Sequence, residues 1–201
     1  MPARAVSPGR MTAEARRQQL LDATKAIVAQ RGFHAISIEA VAREAGITRP
    51  VVYGHFGDLD GLLEALVERE SARALSQLAA VLPGELGGDP REALLEGLRG
   101  YLEVVRADPG TWRLVLMPPE GAPALLHDHI ARGRAGVVEH LAQAVGTGLG
   151  PGRASPDPEL FARMLSAISD EGARLLLTDP QQYPVERIVA FARWMMEELA
   201  P

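Results

Sequence analysis

The chain has 201 residues, enough for one large or two small domains with a well-buried core. It has no cysteine, which excludes disulfides, thiolate catalysis and cysteine-ligated zinc. Net charge is −5 but uneven: residues 1–57 hold eight cations and four anions, residues 58–201 hold 13 cations and 22 anions, and a basic head on an acidic body argues against indiscriminate coating of nucleic acid. No apolar run approaches the roughly 20 residues needed to cross a bilayer. The first residues, MPARAVSPGRM, lack the apolar core of a signal peptide, so a cytoplasmic protein with no membrane partner is expected.

Residues 1–11, with two prolines, a glycine and scattered arginines, read as a flexible arm, either a plain tail or one whose Arg4 or Arg10 reaches a minor groove. Helix one is expected from Thr12 to Arg31, burying Leu20, Ala23, Thr24, Ile27 and Val28. Gly32 ends it and Phe33 turns into the core. Ser37 is placed to cap a second helix whose stripe is Ile38, Val41, Ala42 and Ala45. Gly46 then stops that helix, because without a Cβ it enters the left-handed region at no steric cost. A third helix starts near Thr48 or Arg49, with Pro50 in its first turn, where the missing N–H has no partner to lose. Val52 and Phe56, four apart, point inward and leave Arg49, Pro50, Val51, Tyr53, Gly54 and His55 outside. Two short helices at this spacing form a helix-turn-helix whose second helix enters a DNA major groove.

The outward residues divide by what they can donate. The Arg49 guanidinium can grip guanine O6 and N7, or pair with a phosphate. Pro50 and Val51 offer apolar surface to a thymine methyl, Gly54 leaves room for close approach, and Ser37 and Thr48 place hydroxyls near helix starts that draw phosphate. One such helix reads only a few base pairs, so a homodimer on double-stranded operator DNA is expected.

Beyond the helix-turn-helix domain at 12–58, residues 59–201 read as a larger helical body that serves dimerisation. Asp58 caps a long connector helix, 59–82. Three Asp-Pro pairs, Asp89-Pro90, Asp108-Pro109 and Asp157-Pro158, are N-cap and first-turn signals. Leu94, Leu98, Tyr101, Leu102 and Val105 follow the first pair, and Trp112, Val115 and Leu116 the second. Leu126, Ile130, Val137, Leu141 and Val145 stripe a helix over 123–145, and 83–90 and 146–156 are loops. The last helix, Pro184 to about Leu199, carries Val185, Ile188, Val189, Ala192, Met195 and Met196. No strand pattern appears, so the fold is expected to be all-α with nine helices: a three-helix helix-turn-helix head and a larger helical body. The last two helices suit a dimer interface built from Phe161, Leu165, Ile168, Gly172, Leu176, Ile188, Ala192 and Met195.

From Arg17 to about Leu66, roughly a quarter of the chain, the sequence resembles the TetR family of bacterial transcriptional regulators. The resemblance rests on Arg17 to Ala23 (RQQLLDA), Gly32-Phe33, Ser37, Val41-Ala42, Ala45-Gly46-Ile47-Thr48, Tyr53-Gly54-His55-Phe56 and Leu62-Leu63. It implies that Tyr53 and His55 touch phosphates, and a phenol and an imidazole do donate well. It also implies a small-molecule pocket enclosed by helices five to seven, for which Tyr101, Trp112, Leu116, Met117, Leu126, Ile130 and Met164 are the candidate lining. Such a wall suits an apolar or amphipathic effector that moves helix four and releases a repressor from a pseudo-palindromic operator. The sequence departs from the family where a lysine usually stands three residues beyond Phe56; here it is Leu59.

No cofactor, catalytic group or metal is expected. There is no Gly-rich phosphate loop and no Gly-x-Ser-x-Gly turn, and His127 and His129 are badly spaced to share an ion. Asp170 and Glu171 are expected to pair with Arg174 rather than receive a cationic ligand. A helical protein-binding adaptor and an activator are the alternatives to a repressor.

Overall fold

The computed structural model describes residues 11–82, 89–119, 121–148 and 157–198. The expected arm (1–10 of it), most of both loops and Leu199 lie outside the described residues. Among those described there are nine α-helices, one 3-10 turn and no strand: α1 Ala13–Arg31, the 3-10 turn Phe33–Ala35, α2 Ile38–Glu44, α3 Arg49–Phe56, α4 Leu59–Ala79, α5 Pro90–Ala107, α6 Pro109–Leu116, α7 Ala124–Gly148, α8 Pro158–Thr178 and α9 Val185–Glu198. The chain folds as two compact units that divide between Leu66 and Val67. The sequence expectation put the boundary at 58/59. The first two turns of α4 belong to the head because Leu62 and Leu66 are buried to the same degree as its other core residues.

In the head, Thr12 caps α1 by accepting from the Ala15 N–H (3.1 Å). Leu20, Leu21, Ile27, Val28, Val41 and Val52 are almost wholly withdrawn from water, each such side chain contributing about 1.5–3 kcal/mol of burial free energy. Thr24, the polar member of the stripe, is satisfied by donating to the Leu20 carbonyl (2.8 Å). Ser37 accepts from the Ala40 N–H (3.1 Å) and starts α2. The end of α2 is a Schellman turn: Ile47 N–H donates to Ala42 O (2.9 Å), Gly46 N–H donates to Arg43 O (3.2 Å), and Gly46 sits at φ +67°. The Gln19 side chain of α1 donates to Ala45 O (3.2 Å), tying the turn to α1.

In the body, all three Asp-Pro starts cap as their chemistry dictates. Asp89 accepts from Arg91 N (2.9 Å), Asp108 from Thr111 N (3.4 Å) and Asp157 from Leu160 N (2.9 Å), with proline in the first turn each time. The main core joins Leu95, Leu102 and Val105 of α5, Trp112 and Leu116 of α6, Ala173, Leu176 and Leu177 of α8, and Val185 and Val189 of α9. Tyr101 meets Trp112 edge to face, ring centroids 5.3 Å apart. Val138, Leu141 and Ala162 form a separate patch. The connector α4 ends at Ala79 rather than 82, closing in a turn in which Val81 and Leu82 both donate to Leu78 O.

Gly172 is buried on the side of α8 that meets α9. A Cβ there would stand 3.0 Å from Ile188 Cγ2 of α9. Leu176 is likewise buried in the protomer's own core, and Ile188 and Ala192 pack against that core. These four were expected at the dimer interface; within the chain Gly172 and Leu176 are buried, and Ile188 and Ala192 remain half-buried.

Candidate nucleic-acid interface and ligand cavity

Helix α3 is fastened by one residue. Val52 is fully buried, while Thr48, Arg49, Pro50, Val51, Tyr53 and Gly54 are exposed and His55 and Phe56 half-buried. Thr48 is the N-cap residue and makes no side-chain cap bond, while Pro50 carries no N–H and the Val51 N–H donates to Thr48 O (3.1 Å). Gly54 has open space where a side chain would go, so none of the described residues requires glycine there. Arg17 of α1 lies over the Phe56 ring, 4.9 Å from its centroid. Leu59 is half-buried at the start of α4, so the position where the family usually carries a lysine presents an apolar side chain.

Arg49 does not hang free. Its Nη1 donates to Glu39 Oε1 of α2 (2.7 Å), and both side chains are largely exposed. The guanidinium holds the Glu39 carboxyl below the usual carboxylate range. The pair costs little to break in water, so the arginine is parked across the turn between the two helices rather than locked.

The body holds a cavity of about 120 Å³ bounded by α4 to α8, walled mainly by leucine, valine and isoleucine. A more open cleft of about 460 Å³ shares Ser71, Leu75, Leu78, Leu82, His129, Gly133 and Val137 with it. Of the expected lining, Tyr101, Trp112, Leu116 and Ile130 are on the wall. Met117 is not: it is the exposed C-cap of α6. Met164 lies on the outer face of α8, and Leu126 is buried but off the cavity. Leu165, expected at a dimer interface, lines the cavity instead. The sequence reading missed the contribution of α4, whose signal was the Leu75 and Leu78 pair left over once the head-facing leucines were assigned.

One end of the cavity is polar. Asp170 accepts from the Tyr101 hydroxyl (2.9 Å) at one oxygen and pairs with Arg134 (2.8 Å) at the other. Arg174 pairs with Glu171 (3.0 Å) and donates to Leu116 O (3.1 Å), so of the two expected partners of Arg174 only Glu171 takes that role. Burial, then the neighbouring Asp170 carboxylate, push the Tyr101 phenol far above its ordinary range, which keeps it a proton donor.

A ladder of side-chain bonds joins this wall to α4. Trp112 Nε1 donates to Gln77 Oε1 (2.8 Å), and Gln77 Nε2 donates to Asp108 Oδ2 (3.2 Å). Arg73 pairs with the same carboxylate, and Thr111 Oγ1 donates to Glu70, whose carboxylate is 2% exposed. Glu70, Arg73 and Gln77, at i, i+3 and i+7, thus grip the first turn of α6 from a single face of α4. Nothing in the sequence pattern singled out Glu70.

A third feature is apolar and open. Leu160, Phe161, Met164 and Ile168 of α8 and Phe191 and Trp194 of α9 are all exposed, Phe191 at 58% and Trp194 at 50%. Phe161 and Ile168 were expected on such a face, while Leu160, Phe191 and Trp194 were not. Met195 is half-buried.

A short helix ended by a Schellman turn, then an outward-facing helix held by a single buried valine, is a helix-turn-helix domain. The sequence model for bacterial regulatory proteins of the tetR family matches residues 20–66. The regulator AlkX of Mycobacterium tuberculosis is 34% identical over 93 residues, 46% of this chain and 44% of that relative, so the chain spans less than half the length of the curated relative it matches. A TetR-like regulator from Rhodococcus sp. RHA1 superimposes with a TM-score of 0.72 at 27% identity, covering 92% of this chain and 97% of that one. SmeT, solved in complex with triclosan, shares the fold at 24% identity, with a TM-score of 0.70 over 90% and 89% of the two chains. The head thus matches the TetR family over residues 20–66, and the chain as a whole shares the fold of TetR-like regulators. Among the described residues no helix is long and apolar enough to cross a membrane.

Proposed function

We propose that this protein is a ligand-responsive transcriptional regulator, a repressor that binds a pseudo-palindromic operator as a homodimer and is released by a small apolar or amphipathic effector. The observation that carries the reading is α3: an exposed run from Thr48 to Gly54 with no acidic residue, presented by a buried Val52. Tyr53, His55, Ser37 and Thr48 supply phosphate donors. Arg49 leaves Glu39 for a base edge, and Pro50 and Val51 meet thymine methyls. Gly54 lets the helix approach the groove. Such a regulator works in the cytoplasm, at the nucleoid.

The exposed large apolar side chains of α8 and α9 support pairing, because such side chains gathered at a surface mark protein–protein contacts. The Tyr101, Trp112, Leu116 and Ile130 wall supports effector binding, and the solved triclosan complex of SmeT is consistent with a fold that accepts an apolar guest. The effector need only bind better to a conformation in which two recognition helices no longer match successive groove turns, about 34 Å apart. The α4 ladder to Trp112 gives that preference a physical path.

The test is binding to a labelled duplex from upstream of the protein's own gene, followed by fluorescence anisotropy. Tyr53→Phe should weaken binding equally on matched and mismatched duplexes, and Arg49→Ala should relax preference at one base pair. Equal loss on both duplexes for Arg49→Ala would refute its role as a base reader.

A further inference from the structure

We infer that the body cavity takes a neutral ligand: an apolar body bearing a single hydroxyl or carbonyl group that bonds to Ser71. The inference rests on the reading of this cavity as the effector site. Two observations carry it independently of any relative.

The first is charge. The cavity's acid and base are already spent on each other: one Asp170 oxygen takes the Tyr101 hydroxyl and the other takes Arg134. A cationic guest would have to displace Arg134 or the phenol, and an anionic one would have to draw Arg134 away from Asp170. A charge brought into an apolar site without a partner is heavily disfavoured. His129 of α7 is the remaining titratable side chain on the wall.

The second is Ser71. It is 8% exposed, it lines both the cavity and the adjoining cleft, and its Oγ makes no hydrogen bond among the described residues. Buried hydroxyls are rarely left so, and this one can both donate and accept. It sits among apolar neighbours, Ala74, Leu75 and Leu78, one and two turns along α4, so the group it receives must be attached to an apolar body. A 150 Å³ apolar cavity holds benzene, and the open cleft leaves room for a longer tail.

The experiment is calorimetry at pH 8 on the full-length protein with three eight-carbon probes, 1-octanol, octanoate and octyltrimethylammonium, and with benzene as a guest that cannot hydrogen-bond. Octanol should bind at least about tenfold tighter than either ion. Ser71→Ala should weaken octanol about threefold to tenfold, leave benzene unchanged, and leave the ligand-free melting temperature level or raised. Tighter binding of either ion, equal loss for octanol and benzene, or no binding by any probe would overturn the proposal. A neutral preference without any effect of octanol on DNA binding would instead leave the ligand class standing and sink the regulatory reading.

Discussion

The head and the body are built from the same element and obey different rules. In the head, each helix start and stop is set by residues within a few positions of one another: Thr12, Ser37, and Gly46 with Ile47. In the body the starts are just as local, as Asp89, Asp108 and Asp157 show. What each helix does there is set by neighbours distant in sequence. Met164 and Leu165 are adjacent, yet one is exposed and the other lines a cavity. A 100° step along α8 separates those fates, and only the placement of α7 and α9 decides which face gets which. A short head can be specified by local chemistry, whereas the body divides its apolar side chains among core, cavity and exposed face.

The comparison can be broken most severely at Val52. Val52→Asp buries an unpaired charge where α3 has its one fully buried anchor, an expected loss of about 4 kcal/mol or more. Calorimetric melting should then show the head unfolded while the body still melts cooperatively; a single unchanged transition would mean that the two units are not separately specified. Next comes Thr111→Val, which removes the hydroxyl donor to the buried Glu70 carboxylate. The expected cost is about 1.5–3 kcal/mol, a hydrogen bond to a charged acceptor. Effector titrations against bound DNA should also show weaker coupling, and coupling at full strength would remove the ladder from the mechanism.

Gly46→Ala should cost about 1–2 kcal/mol, because the Schellman turn needs φ +67° and no neighbour obstructs a Cβ, leaving backbone strain as the only cause. Denaturant unfolding of the head measures it, and a neutral result would mean that the turn tolerates a side chain. The smallest effect is at Glu39. Its carboxyl is held below the usual range by Arg49, so the ion pair persists above the ordinary carboxylate pKa and is lost only as pH falls through the lowered one. Glu39→Gln should leave the melting temperature unchanged near neutral pH and tighten duplex binding, since Arg49 no longer has a rival partner. Weaker binding would mean that Glu39 positions the arginine instead of parking it.

These contrasts mark how far the sequence could be read. The helix count, the caps, the Gly46 turn and the outward set on α3 all follow from short-range rules. The Arg49–Glu39 pair spans ten residues and depends on the angle between α2 and α3, which no periodicity encodes. Gly172 reads as a small gap in a stripe, but its neighbour could be either a second chain or α9, and the structure supplies Ile188. Phe191 and Trp194 lie outside the stripe that marks the core face of α9, so helical periodicity does not distinguish them. Glu70 was invisible because a charged residue among leucines reads as solvent-facing until its partners are in place.

The central claim is that α3 enters a major groove and does so twice in one complex. Selection of bound duplexes from a random 30-base-pair pool by the full-length protein, followed by footprinting of the winners, tests this most directly. The account predicts two half-sites related by twofold symmetry, their centres separated by a whole number of helical turns. Failure to enrich any sequence, or enrichment of a single unpaired half-site, would contradict it.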